Sequence, residues 1–440
     1  VPDLAASVSP RAAALAALAV VSAGGKLDVA LDRCVRRGFD RRETAFAEEL
    51  AKAAVRHRRF LDYQLETQTA RPLSKAPPAV REILRLGAAE IFLLRTPAYA
   101  AVDEAGGLAR AAGYAGLVPF VNGVLRQLAA RGAPAAPPGP DVERLGVTYS
   151  YPDWLVRRWL ERFGAAEAEA LLAAGNAPAP LTLYANAART TREALARSLR
   201  EAGFDAADGP FGALAVELGE RRLAELPGYD DGCFAVLDPA STLGPRWLAA
   251  GRGATVVDLC AGVGGKAFQL AAMVGPAGKV VAYEIDPRKA KSLRAGGRRF
   301  GLANVEVRGA DVLQAELLAA DFVFLDAPCT NLGVIRHKPD IKWRVREEDV
   351  AAAAASERAM LARAAASLRP GGRLLYNVCT VEPEETDDVV AAVLAADASL
   401  APLACRPELN GAGEAGPFLR TWPQRDGCNG GFAALLVRTR

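Results

Sequence analysis

The chain has 440 residues, 51% hydrophobic and 24% charged, with a net charge of +3, which suits a globular protein of two or three domains rather than a disordered one. With only His57 and His337, a Ser-His-Asp triad or a His-rich metal centre is hard to build. Seven cysteines without a CxxC pair make neither a disulfide framework nor a zinc site, so no metal is expected and a reduced, cytoplasmic compartment is.

Charge is unevenly placed. Residues 1–140 hold 19 Lys/Arg against 13 Asp/Glu, an excess that suits a polyanion or simply a solvated surface. Arg11, the apolar stretch Ala12 to Val21 and then Ser22-Ala23-Gly24 mimic a leader, but read better as the first helix of a folded domain. No apolar run approaches the roughly 20 residues a membrane span needs. Apolar periodicity predicts helices over 12–25, 27–37, 44–67, 78–94, 98–112 and 117–131, an all-α domain over 1–131. The Pro-rich stretch 132–144 reads as a semi-rigid linker. A small α+β module over 145–238 follows, with helices at 152–173 and 191–202 and short apolar segments at 181–184, 213–217 and 233–237.

From 239 to 440, strands alternate with helices: 254–259, 280–284, 305–308, 322–325, 373–378 and 432–437. This alternation predicts a doubly wound, Rossmann-like α/β domain with a mostly parallel sheet. Its first strand runs into Cys260-Ala261-Gly262-Val263-Gly264-Gly265-Lys266 and then a helix. Glycines let backbone approach a ligand, and a helix N-terminus offers free N–H donors. Glu284, at the end of the next strand, suits ribose hydroxyls, and Asp311, past the third, suits an adenine amino group. The glycine turn alone fits NAD as well as S-adenosylmethionine.

Two cysteines break that tie. Cys329 lies in Asp326-Ala327-Pro328-Cys329-Thr330 and Cys379 in Tyr376-Asn377-Val378-Cys379-Thr380, each past a predicted strand. Ligands of open α/β sheets bind beyond the carboxyl ends of the strands, so both thiols should face one crevice. Paired thiols there suit covalent chemistry on a pyrimidine, one adding at C6 and the other helping expel the C5 proton. The ordinary alternative for any single cysteine is a buried core thiol, and Cys34, Cys233, Cys405 and Cys428 are read that way.

The segments 258–266, 326–329, 333–343 and 379–385, with Glu284 and Asp311, resemble the NOL1/NOP2/Sun group of RNA 5-methylcytosine methyltransferases. The segments 81–91, 101–104 and 120–126 resemble the helical NusB fold, which implies RNA binding. The resemblance covers nearly the whole chain. It departs at Gly262-Val263, where the family has Ala-Pro, so a looser cofactor turn is expected.

The resemblance implies S-adenosylmethionine as cofactor, held by Cys260, Ala261, Gly262, Val263, Gly264, Gly265, Lys266, Glu284, Asp311 and Asp326. It implies Cys379 as nucleophile and Cys329 as the thiol that aids product release, with Asp326 hydrogen-bonding the base and Lys266 balancing charge. The implied substrate is small-subunit ribosomal RNA, acted on by a monomer away from membranes. Expected RNA contacts are Arg36, Arg37, Arg41 and Arg42; Arg56, Arg58 and Arg59; and Arg336, Lys338, Lys342, Arg344 and Arg346, with Trp343 for stacking. His337 reads as part of that last basic loop. Three alternatives stay open: a non-catalytic RNA-binding assembly factor, a nicotinamide-dependent oxidoreductase and a DNA cytosine methyltransferase.

Overall fold

The computed structural model describes residues 9–35, 39–137, 139–219, 221–406, 409 and 416–439. Arg36 and Arg37 lie outside them. The chain forms two compact units, 1–177 with 335–345, and 178–334 with 346–440. No helix among the described residues is long and apolar enough to cross a membrane.

The first unit is helical: α1 Pro10–Ser22, α2 Leu27–Cys34, α3 Arg41–Arg56, α4 Arg58–Glu66, α5 Pro78–Phe92, α6 Ala98–Ala111, α7 Val118–Arg131, α8 Asp141–Thr148 and α9 Asp153–Asn176. α1, with its leader-like composition, buries Ala13, Ala14, Leu15, Ala17, Leu18 and Val21 in the core. The helix predicted over 44–67 is instead two, parted at His57, where the backbone leaves helical geometry. α3 begins with a capping box, Asp40 accepting from the Glu43 N–H while Glu43 accepts from Asp40. α5 is almost wholly buried and carries charge inward. Arg85 forks onto Asp62 at 2.6 and 2.8 Å and reaches Glu82 at 2.5 Å, while Arg11 holds Glu90 at 2.6 Å. Such pairs tie α1 and α4 to α5, because a buried charge is tolerated only when fully partnered. The Pro-rich segment is pinned rather than free: Gln64 accepts from the Ala135 N–H and donates to the Ala135 carbonyl.

The segment 335–345 corrects an expectation. Lys342 is 1% exposed, so it is no RNA contact. Its Nζ donates to the Arg56 carbonyl at 2.7 Å and to Asn176 Oδ1 at 2.9 Å, and sits 4.1 Å from the centre of the Tyr151 ring. Burial, then the charge of Arg56, pulls its ammonium well below the usual lysine range. Trp343 is not a free stacking platform either: its indole N–H donates to the Val55 carbonyl at 2.7 Å. Arg336 is also buried, and its carbonyl accepts from Arg56. Arg59 donates to the Tyr151 carbonyl and pairs with Asp153. These groups serve the fold; Lys338 and Arg346 remain exposed.

The second unit starts with a four-stranded antiparallel sheet of β1 Leu181–Ala185, β2 Asp205–Asp208, β3 Leu214–Glu217 and β4 Phe234–Val236, ordered β2-β3-β1-β4, with α10 Arg192–Glu201. After α11 Leu243–Leu248 come β5 Thr255–Asp258, α12 Gly265–Val274, β6 Lys279–Tyr283, α13 Pro287–Phe300, β7 Val305–Arg308, β8 Ala320–Asp326, β9 Leu368–Val378, β10 Leu400–Leu403, β11 Leu419–Thr421 and β12 Gly431–Arg438. They form an eight-stranded mixed sheet ordered β10-β12-β9-β8-β5-β6-β7, with β11 paired to β12. β9, β8, β5, β6 and β7 run parallel, whereas β10, β11 and β12 join antiparallel. The short strands β2, β10 and β11 carry no strong periodicity and were not predicted.

Replacing Lys342 by Ala should lower the stability of the helical unit by about 3 kcal/mol, because two buried carbonyls lose their donor. An unchanged urea midpoint would show that this ammonium is dispensable.

Candidate active site

The parallel register decides what meets at the sheet edge. Asp258 of β5 pairs with Phe324 of β8, Asp326 of β8 with Asn377 of β9, and Tyr283 of β6 with Arg308 of β7. The carboxyl ends of all five parallel strands therefore line up, and strand order reverses between β5 and β8, where such sheets bind ligands.

The glycine turn follows β5. Gly262 and Gly264 have φ of 60° and 105°, conformations that side chains disfavour. A Cβ on Gly264 would lie 2.4 Å from Leu293 and Phe268, so this residue also allows α12 to start close to α13. At the Gly262-Val263 departure, Gly262 takes a positive φ and Val263 projects outward, 60% exposed.

Four carboxyl groups, of Asp258, Asp326, Glu284 and Asp311, lie close enough to act together on Cys260, whose thiol is pushed far up by burial and then by their charges. Asp258 is fully buried, and neither of its oxygens has a hydrogen-bond partner. Burial, then the charge of Asp326, pushes it up to about 7. Glu284 accepts from the Asp286 N–H at 2.7 Å and Asp311 from the Leu313 N–H at 2.9 Å, each fixed by its own turn. Acids gathered at the strand ends, one of them a buried carboxyl with no bond of good geometry, fit a cationic nucleoside. They would repel a dinucleotide's pyrophosphate, despite the free N–H donors of α12. S-adenosylmethionine, with its sulfonium and amino group, fits these residues.

Beside these acids, Lys266 Nζ donates to Asp326 Oδ2 at 2.6 Å, and Asn377 Nδ2 donates to Oδ1 at 2.6 Å. Burial acts to lower the Lys266 ammonium, but the charge and hydrogen bond of Asp326, aided by Cys379 and Asp258, leave it raised. The structure brings the two predicted thiols together: Cys329 Sγ and Cys379 Sγ are 3.3 Å apart and unbonded. The hydrogen bond with Cys379, then burial and the nearby charges of Cys379, Glu385 and Glu357, push the Cys329 thiol well above its usual range.

Several residues holding this arrangement escaped the sequence reading. Asn331, at φ 64°, donates to the Cys329 carbonyl at 2.6 Å and accepts from Cys379 Sγ at 3.1 Å, so one side chain spans both cysteines. Gly333 donates to the Cys379 carbonyl at 3.0 Å and accepts from Gly430, and a Cβ there would meet the Gly430 oxygen at 2.1 Å. Glu385 gathers the two threonines that follow the cysteines. It accepts from the Thr330 N–H at 2.7 Å, the Thr330 hydroxyl at 2.5 Å and the Thr380 hydroxyl at 2.9 Å. Glu385 lies within the segment 379–385 that carries the family resemblance, but neither it nor Asn331 shows its role in the sequence.

Comparison with known proteins agrees with this geometry. Residues 245–437 match the 16S rRNA methyltransferase RsmB/F family, residues 8–130 the NusB family, and residues 151–222 the ferredoxin-like domain of RsmF/B-like methyltransferases. Ribosomal RNA small subunit methyltransferase B from Thermus thermophilus is 36% identical, over 91% of this chain and 90% of that protein. A probable ribosomal RNA small subunit methyltransferase B from Synechocystis is 32% identical, over 82% of this chain and 83% of that protein. Among solved structures, PH0851 superposes with a TM-score of 0.80 over 98% of this chain and 99% of that one at 23% identity, a likeness of fold.

Two measurements test this reading. S-adenosylmethionine should raise the melting temperature and NADH should not, and Gly264→Ala should abolish the shift. Because Asp258 sits near 7, its charge is lost as pH falls through that value, so affinity for the cation should weaken from pH 8 to pH 6 (on the order of one unit either side of neutrality). Asp258→Asn should flatten that trend; an equally steep trend would assign it elsewhere.

Proposed function

The chain belongs to the ribosomal RNA small subunit methyltransferase B family, and from that premise we propose that it methylates C5 of a cytosine through a covalent adduct of Cys379. It is an S-adenosylmethionine-dependent rRNA methyltransferase. The finer reading rests above all on the two thiols 3.3 Å apart at the carboxyl edge of the sheet.

Cytosine C5 is a poor nucleophile until something adds at C6. Cys379, as thiolate, forms a bond to C6 and pushes the ring electrons toward C5. Asp326, held on both oxygens by Lys266 and Asn377, accepts from the exocyclic amine. The Lys266 ammonium beside it balances the charge that builds on the ring. S-adenosylmethionine, when bound, supplies the methyl group. The C5 proton then passes to a water molecule in a step that Cys329 assists, and the electron pair of the C5–H bond re-forms the C5–C6 double bond and expels Cys379 from C6 as a thiolate, leaving the methylated base.

Environment separates the roles. Cys329 has carboxyl groups behind it that oppose its ionisation, whereas Cys379 is near enough to Lys266 to act on its ammonium. Groups driven apart in this way take different acid–base roles. The target base must leave any duplex stack to reach the thiols.

In this reading, residues 1–131 form an RNA-binding domain, 132–144 a linker, 145–238 a connecting module and 239–440 the methyltransferase, acting as a cytoplasmic monomer on small-subunit rRNA.

Purified wild type, Cys379→Ala and Cys329→Ala would be incubated with small-subunit rRNA and labelled S-adenosylmethionine. The proposal expects transfer by wild type, none by Cys379→Ala, and a protein–RNA adduct that survives a denaturing gel with Cys329→Ala. Methylation by Cys379→Ala would move the nucleophile to another residue.

A further inference from the structure

Behind the thiols lies a carboxyl group that the reaction above does not use. Glu357, on the helix Glu347–Ala366, is wholly buried, and neither of its oxygens makes a hydrogen bond of good geometry; its polar neighbours are the Glu385 carboxyl and the Tyr376 hydroxyl. Its carboxyl, that of Glu385 and the Cys329 sulfur lie within 4.8 Å of one another. A buried, unpaired carboxylate beside a second carboxylate is strongly disfavoured. The neighbouring Tyr376 hydroxyl is only a partial remedy: it acts weakly on Glu357 against the effect of burial, but its well-formed bond goes to the Glu385 carbonyl at 2.7 Å. The donor missing from this cluster is a proton on Glu357 itself.

We propose that Glu357 is a positioning residue: as a neutral acid it hydrogen-bonds Glu385, which in turn fixes Thr330 and Thr380 and so the spacing of Cys329 and Cys379. This rests on the two-thiol reading and deepens it. The chain of contacts is short. Glu385 accepts from both threonines, and each threonine directly follows one of the cysteines. The same three groups do not make a convincing cation site, because the Glu385 oxygens already accept three hydrogen bonds.

The groups around Glu357 agree on its protonation. Glu385 faces it from the turn Pro383–Glu385, Tyr376 from β9, Cys379 from beyond β9 and Cys329 from beyond β8. The helix Asp387–Ala396, packed alongside, buries Val389, Val390 and Val393, and its Asp387 pairs with Arg420. At the end of β8, Asp326 is taken by Lys266. No cation faces Glu357 among these. Burial, then the charge of Glu385, pushes it up to about 9 from an ordinary 4.5. The native protein therefore holds an extra proton between those values, and stability falls as pH rises through that window.

The experiment compares wild type, Glu357→Gln and Glu357→Leu. Gln keeps a donor and cannot ionise; Leu removes the donor. Methyl transfer should fall by about 100-fold in Glu357→Leu, the scale of a misplaced reacting group, and Glu357→Gln should restore most of it. Two readouts need no RNA. Diamide should join Cys329 and Cys379 as a disulfide at similar rates in wild type and Glu357→Gln and more slowly in Glu357→Leu. The melting temperature should decline less steeply toward alkaline pH in Glu357→Gln than in wild type. A retained melting shift with S-adenosylmethionine shows that Glu357→Leu is folded. Equal disulfide rates in all three proteins, with parallel pH–melting curves for wild type and Glu357→Gln, would overturn the proposal. If wild type transfers no methyl group, the two-thiol reading fails, while these two readouts still decide the role of Glu357.

Discussion

The parallel pairing of β8 with β9 is the constraint on which the site depends. Placing Asp326 opposite Asn377 brings Cys329, three residues past Asp326, and Cys379, two residues past Asn377, out at the same edge of the sheet. A one-residue slip would turn alternate side chains to the other face of the sheet and separate Asp326 from the Asn377 amide that holds it. The buried runs Val323–Leu325 and Leu374–Tyr376 oppose such a slip, because moving them would disturb two core layers at once. Hydrophobic burial far from the chemistry thus sets a sulfur–sulfur distance that the chemistry needs.

Electrostatics then divides the edge into two regions. On the β5–β6–β7 side, carboxyl groups gather with little compensating charge, which favours a cation there. At β8, Lys266 neutralises Asp326 and stands near Cys379. One lysine therefore marks where the acidic region ends and the thiol site begins. The glycine turn serves this arrangement sterically. It lets α12 start close against Leu293 of α13, which places Lys266 within reach of β8.

Much of the fold was legible because its signals are local. Helical periodicity located α1 to α7, and the apolar runs of β5, β6, β8 and β9 announced a parallel sheet. His57 escaped notice because a one-residue break between two amphipathic helices leaves the apolar pattern almost continuous. The edge strands β10 and β11 are short and paired to one neighbour, so packing rather than propensity makes them strands. At the site, glycines, cysteines and acids at strand ends could be picked out by residue type and position. Asn331 and Glu385 could not be weighed in the same way, since their importance lies in contacts across 48 and 55 residues of chain.

The segment 335–345 shows the same limit from the other direction. Its run of cations reads as a solvent-facing RNA loop, yet Lys342 is buried with two carbonyl acceptors and Trp343 gives its N–H to the backbone. Charge in a sequence states what a side chain can offer, not what meets it. Burying an ammonium costs several kcal/mol unless its donors are taken up, so a lysine is found in a core only where acceptors from distant parts of the chain converge, here Arg56 of α3 and Asn176 of α9. Glu357 obeys the converse rule. A carboxyl group in a core without donors keeps its proton, and the proton then becomes the donor that the neighbouring acceptors lack. In both cases the group's charge state is a product of the fold, and it could be assigned only once the partners were in view.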